Sequence, residues 1–141
     1  MAMTGIQAVD TSVQKMNLWL NDIMSELQWD SREKAYSALR AVLLTVRDRL
    51  TIDESADFSA QLPLIIRGIY YDIWRPSVVP VRIRTKEDFS NCVRQFLRSD
   101  TDYDAERVSR AVIRVIKKYV TEGEVKDMKA LMPKALLDIW E

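Results

Sequence analysis

The sequence predicts an all-α protein on three observations. Apolar residues recur at steps of three and four rather than two, Ser, Thr and Asp stand where segments begin, and the chain matches itself at one constant offset. Slid by 70 residues, Ala41-Val42 meets Ala111-Val112, and Thr51, Glu54, Asp57, Ala60, Pro63 and Ile69 meet identical residues at 121, 124, 127, 130, 133 and 139. These are eight identities in 30 gapless positions, and Leu43/Ile113, Val46/Ile116, Arg47/Lys117, Leu50/Val120, Phe58/Met128 and Tyr70/Trp140 are conservative. Upstream the register continues through Trp19/Phe89, Ile23/Val93, Leu27/Leu97, Asp30/Asp100, Ser31/Thr101 and Ala35/Ala105. The expected architecture is therefore two tandem pseudo-symmetric helical repeats of about 70 residues, related by an approximate two-fold and packed into one compact bundle. The expected boundaries are an N-terminal tail at 1–12, repeat 1 at 13–74, a linker at 75–84 and repeat 2 at 85–141, all within a single domain.

The elements follow in order. Met16, Trp19, Leu20, Ile23, Met24 and Leu27 form one stripe, with Asp10, Thr11 and Ser12 as candidate caps. Asp30 or Ser31 caps a second helix that buries Ala35, Leu39, Val42, Leu43, Val46 and Leu50. Thr51 or Asp53 opens a short segment to Gln61, whose early acids suit the positive end of a helix. Pro63 would break a helix interior, so it is expected in the first turn of a new helix carrying Leu62, Ile65, Ile66, Ile69, Tyr70 and Ile73. The second half repeats the plan at Phe89 to Leu97, Ala105 to Val120, Glu122 to Leu131 and Pro133 to Trp140. Only Val78 to Ile83 looks extended, and Pro80 demotes it to a linker.

Composition removes reagents rather than supplying them. The 141 residues include 21 Lys+Arg and 21 Asp+Glu, no His and one Cys, with 48% hydrophobic residues. That is enough apolar content for a real core, and the charge balance is not that of a strongly basic nucleic-acid binder. Without His, the Ser-His-Asp and Cys-His arrangements and most zinc sites cannot be built. Cys92 lies between Phe89 and Phe96 on an apolar face and reads as an inert thiol. No run of apolar residues approaches a membrane span and the start lacks a secretory signal pattern, so the expected location is cytoplasmic.

The run Asp57-Phe58-Ser59-Ala60-Gln61-Leu62-Pro63-Leu64-Ile65-Ile66-Arg67-Gly68-Ile69-Tyr70-Tyr71-Asp72-Ile73-Trp74 resembles the signature of a bacterial family known as domain of unknown function 2267. The Ala41-Val42 helix before it, the Thr121-Glu122-Gly123-Glu124-Val125 turn and Met132-Pro133 fit that family too, from about Val13 onward. The resemblance implies an all-helical bacterial protein and carries over no catalytic residue. One departure is Ile73, where the family pattern has glycine before the tryptophan.

The duplication separates what both halves need from what one half alone carries. Arg67-Gly68 faces Leu137-Asp138, and Gly68 inside a helix costs about 1 kcal/mol relative to Ala, which a close helix crossing would explain, or else a ligand approaching the backbone. Arg67, Tyr71 and Trp74 fall at i, i+4 and i+7, with Arg75 beside them, and an arginine with two aromatics is the composition of an interface hot spot. The candidate interaction residues are thus Arg67, Gly68, Tyr71, Trp74 and Arg75. On that reading Arg67→Ala with Tyr71→Ala weakens association and leaves the thermal transition almost unmoved. The alternative is that Tyr71 and Trp74 cap the core while Arg67 pairs with an acid.

Residues 1–74 hold seven basic and ten acidic side chains, and 75–141 hold fourteen and eleven. Arg75, Arg82, Arg84 and Lys86 follow one another with no acid between them. Arg107, Arg110, Arg114 and Lys117 form a basic stripe that either meets phosphate or an acidic partner, or is a solvated face balanced by Glu106, Glu122 and Glu124. The leading functional expectation is a non-catalytic interaction or assembly module, with itself as a homodimer or another protein as partner, no cofactor, no metal, no membrane and no nucleic acid favoured. The alternative is a binder of a small apolar or anionic ligand in a cleft between the repeats lined by Trp19, Tyr70, Trp74 and Arg67. An enzyme working through Asp53, Glu54 and Asp57 ranks third, since such an acidic set is the ordinary exposed first turn of a helix.

Overall fold

A computed structural model describes residues 3–97 and 103–141, and the expected pairs at Asp100 and Thr101 lie outside them. Among the described residues the protein is all-helical, with eight α-helices and two 3-10 turns. α1 (Gln7–Leu27) begins earlier than its sequence signals suggest. Asp10 is no cap: it lies inside the helix and accepts from the Thr4 amide at 3.1 Å and the Thr4 hydroxyl at 2.8 Å. Thr11 and Ser12 also lie within α1. The helix ends on Gln28 in the left-handed region (φ 56°), where the Trp29 amide reaches back to the Met24 carbonyl at 2.9 Å.

α2 (Arg32–Arg49) is capped by Ser31, whose hydroxyl accepts from the Lys34 amide. Every residue from Ala41 to Arg47 is buried, the mark of a helix surrounded by others. α2 packs against α1, α4 (Leu64–Tyr71), α5 (Lys86–Phe96) and α6 (Ala105–Tyr119), and α6 also meets α1, α5 and the 3-10 turn Asp138–Trp140. One continuous core results, with Trp19, Phe58, Tyr70, Phe89 and Trp140 among its large buried side chains.

The short helices are set by their caps. α3 (Ile52–Ser59) opens with a capping box between Thr51 and Glu54, and α7 (Glu122–Ala130) opens with Thr121 accepting from the Glu124 amide. Pro63 and Pro133 stand one residue outside α4 and α8 (Lys134–Leu137), at the cap rather than in the first turn. α5 starts ahead of the expected Phe89 because Thr85 and Asp88 form a second capping box that apolar spacing does not reveal. α8 stops after four residues and continues as the 3-10 turn.

α4 stops at Tyr71, so Ile73 is outside the helix that was expected to bury it. The Trp74 amide donates to the Tyr71 carbonyl at 3.2 Å, Asp72 has φ −61° and ψ 134°, and Ile73 has φ 55°. These are the angles of a type II turn, whose third residue needs positive φ. A β-branched side chain is strained there, and Ile73 is 59% exposed. A glycine at this position, which the resemblance implies, would take up that conformation without strain.

The connection to α5 contains the 3-10 turn Pro76–Val78 and a cis Val79–Pro80 bond, and it lies along the end of α2. There the Val81 amide donates to the Asp48 carbonyl at 2.6 Å and Arg49 Nε to the Ile83 carbonyl at 3.0 Å. No described helix is long and apolar enough to cross a membrane.

Candidate functional site

Arg47 fixes the far end of α4 from within the core. Its side chain is 2% exposed, and one guanidinium nitrogen donates to the Tyr70 carbonyl at 3.1 Å and the Asp72 carbonyl at 2.6 Å. Its charge is met by Asp48 at 2.8 Å. The guanidinium thus satisfies carbonyls that the end of a helix leaves without partners. Tyr70, buried beside it, shares a 3.0 Å hydrogen bond with the Ser55 hydroxyl.

The residues singled out in the sequence are drawn together here, but mostly inward. Arg67 donates through Nε to the Ser59 carbonyl and through a terminal nitrogen to the Leu62 carbonyl, each at 3.0 Å, and so closes the α3–α4 turn. Among the described residues it pairs with no acid; Asp72 instead meets Arg40 at 3.3 Å. The Tyr71 hydroxyl donates to the Ser55 carbonyl at 3.2 Å and shares a 2.7 Å bond with the Ser59 hydroxyl. Trp74 is half-buried against the Tyr71 ring at 5.0 Å, with its indole nitrogen buried and without a partner. Arg75 is exposed. A Cβ added to Gly68 would meet nothing within 4 Å, so no helix crosses closely there and a crossing does not account for the glycine.

The basic stripe is a seam. Arg107 donates to the Leu27 carbonyl, Arg114 to Glu26, and Lys117 to the Trp140 and Glu141 carbonyls at 2.8 and 3.0 Å. Arg110 meets Glu106 at 3.1 Å and Asp138 at 2.6 Å. Of the acids expected to balance the stripe, Glu106 does so, while Glu26 and Asp138 take the places assigned to Glu122 and Glu124. Hydrogen bonds from Arg110 and Lys86 hold the Asp138 carboxyl below its ordinary range. Cys92 is a half-buried free thiol, pushed up by burial and then by Asp48 and Asp88.

What the structure leaves open lies beside these residues. A groove of about 550 Å³ runs between α1 and the α3–α4 turn, with Trp19 and Tyr119 on one side, Leu62 and Leu64 on the other, and Lys15 and Arg67 lining it as well. Two of the four residues expected in a cleft between the halves, Trp19 and Arg67, are there; Tyr70 and Trp74 are not among its lining. Leu18 and Leu64 are each 52% exposed at its edge. Tyr119 stacks on Trp19 with ring centroids 5.2 Å apart, and its hydroxyl donates to the Asp22 carboxylate. Burial pushes the Asp22 carboxyl up, but hydrogen bonds from Tyr119 and Lys118 outweigh that and hold it below its ordinary range.

Apolar spacing misses Leu18 and Leu64. Leu18 sits off the buried stripe of α1, and an apolar residue on the wrong face of an amphipathic helix is the signal that finds it. A second depression, of about 610 Å³, is polar and is spanned by the Arg40–Asp72 pair beside Glu33, Tyr36 and Ser37.

No curated protein matches the chain. The all-helical fold agrees with what the Asp57 to Trp74 run implies, and the model of the uncharacterized conserved proteins DUF2267 matches residues 16–139, so the chain belongs to that family.

Proposed function

We propose that the protein is a small non-catalytic cytoplasmic module built from two pseudo-symmetric helical repeats, and that it associates with a second copy through the groove between α1 and α4. The observation that carries this reading is the pair of half-exposed leucines, Leu18 and Leu64, at the edge of a groove walled by Trp19, Leu62 and Tyr119. Gly68, one turn beyond Leu64, leaves room for another backbone to approach. Arg67 and Tyr71 act behind this surface by holding the α3–α4 turn in place, so the interaction residues named from sequence divide into supports and contacts.

The repeat reading has its own support in the parallel partners. Arg47 reaches the Tyr70 carbonyl and Lys117 reaches the Trp140 carbonyl, both steps lying 70 residues apart. α1 packs on α6 as α5 packs on α2, the exchange that a two-fold between halves produces.

Sedimentation velocity over a range of concentrations tests the association. The expected result is a species of twice the 16.4 kDa chain mass that is lost in Leu18→Glu with Leu64→Glu while the helical circular dichroism stays. A monomer at every concentration overturns it. The small-ligand reading keeps one observation in its favour, the cations Lys15 and Arg67 beside an apolar lining. A co-purified mass in native mass spectrometry, lost in the same double variant, would select it.

A further inference from the structure

The segment between α4 and α5 is pinned on one side and charged on the other. Val81 and Arg49 tie it to the end of α2 through the Asp48 and Ile83 carbonyls, and Ile83 is buried. In an extended segment alternate side chains share a side, so Arg82 and Arg84 project together while Val81 and Ile83 turn inward, matching their burial. A cavity of about 340 Å³ is lined there by Arg49, Arg82, Arg84, Pro80, Val81 and Ile83.

Three arginines line one small cavity, and no acid lines it with them. The neighbouring acids act from outside the cavity: Glu54 on Arg49 and Asp88 on Arg82. Glu54 accepts from the Thr51 amide, Asp88 from the Arg84 and Thr85 amides, and Asp48 is held by Arg47. None of the three lines the cavity. The C-terminus of α2 adds about half a negative charge against three positive ones. Arg49 uses its Nε on Ile83, and among the described residues its terminal nitrogens, like the side chains of Arg82 and Arg84, have no hydrogen-bonded acceptor. Burial, opposed by Glu54, and then the charge of Arg84 pull the Arg49 guanidinium below its ordinary value, as expected of a cation held beside another.

We propose that this cavity binds the phosphate group of a small phosphate monoester. Planar guanidinium forks match phosphate oxygens in pairs, and three arginines lining one cavity offer a dianion oriented donors that a single lysine-like point charge would not. The cavity is at the lower end of ligand-site sizes, which fits a phosphate with a small organic group and not a polymer. It is lined by residues other than those of the α1–α4 groove, so the two sites stand or fall separately.

The test is an amide NMR titration of the full chain with inorganic phosphate, with phenyl phosphate, and with heparin as a polyanion. Expected are saturable shifts confined to residues near 81–84 and Arg49 with both small probes, phenyl phosphate binding at least as tightly as inorganic phosphate. Arg82→Ala with Arg84→Ala should weaken binding by roughly tenfold or more. Both arginines are exposed, so the fold should survive, and an unchanged thermal transition checks this. Arg82→Lys with Arg84→Lys should recover only part of the affinity. Unsaturated shifts spread over every basic surface, equal affinity in the alanine variant, or binding to heparin alone would each overturn the proposal.

Discussion

Residues 51–74 and 121–141 begin alike and end differently. Each opens with a threonine cap, breaks at a proline, and has the carbonyls at its end held by a cation from the long helix before it. In the first stretch that cation is the buried Arg47, and polar side chains turn inward: Arg67 closes the α3–α4 turn, and Tyr70 and Tyr71 bond to Ser55 and Ser59. In the second, Lys117 is half-exposed, Leu137 and Asp138 replace Arg67 and Gly68, and Asp138 turns outward to Arg110 and Lys86. Val125 stands where Ser55 would be, and the Trp140 indole nitrogen is buried without a partner. The lesson is that the helix breaks and end carbonyls are the shared scaffold, while the polar cross-links between them are particular to one half.

The largest test of that contrast is the cation itself. Arg47→Met leaves the buried Tyr70 carbonyl, and the part-buried Asp72 carbonyl and Asp48 carboxylate, without their partner and should cost about 2–4 kcal/mol. Lys117→Met frees carbonyls that water reaches and should cost only about 1 kcal/mol. Urea denaturation of both variants measures the difference, and equal losses would remove the distinction between a buried and a peripheral clamp.

Next in size is the inward network. Arg67→Ala with Tyr71→Ala removes the bonds that close the α3–α4 turn and should cost about 3 kcal/mol. The aligned change, Leu137→Ala with Glu141→Ala, trims partly exposed contacts and should cost about 1 kcal/mol. The sequence alone pointed the other way, toward lost association with an unmoved thermal transition. A denaturation midpoint for Arg67→Ala with Tyr71→Ala within error of the parent would restore that first reading.

The placement of Arg67 and Tyr71 marks where the sequence stops being legible. The long helices, the caps at Ser31, Thr51 and Thr121 and the breaks near Pro63 and Pro133 are local signals, because capping and proline geometry act within a few residues. The partner of Arg67 is a pair of carbonyls five and eight residues away across a turn, and side-chain spacing along a helix carries no information about carbonyls in the connection before it. An arginine and two aromatics on one stripe look the same whether the stripe faces a partner or its own turn. The groove was half legible: Trp19 and Arg67 were placed in a cleft between the halves, but Tyr119, Lys15 and the two exposed leucines enter only once α1 and α6 are packed. Ile73 was legible as a departure from the family pattern and became a physical statement only when its φ was known.

Ile73 supplies a smaller test. Its left-handed conformation strains a β-branched residue by about 1–2 kcal/mol, and glycine removes that strain while losing about 0.5–1 kcal/mol of chain entropy. Ile73→Gly should therefore stabilise the protein by roughly 0.5–1 kcal/mol, a raised denaturation midpoint with the same urea dependence. A loss of stability would mean that the exposed Ile73 side chain has packing that outweighs the strain of its backbone.

The smallest effect is at Gly68, where the two stretches differ by a glycine against Asp138. Gly68 lies inside α4 with open space where a Cβ would stand, so Gly68→Ala meets no neighbour and should stabilise the isolated chain by about 0.5–1 kcal/mol. A glycine that lowers helix stability without relieving any crowding within its own chain needs a reason outside it. On the association reading the reason is the second copy, whose backbone comes close to α4 just beyond Leu64. Gly68→Ala should then raise the denaturation midpoint at dilute concentration and weaken association at high concentration. Opposite signs from one methyl group separate a folding role from a contact role. Should the variant gain stability and associate as the parent does, Gly68 is not a contact, and the approach has to be sought at Leu18 and Leu64 without it.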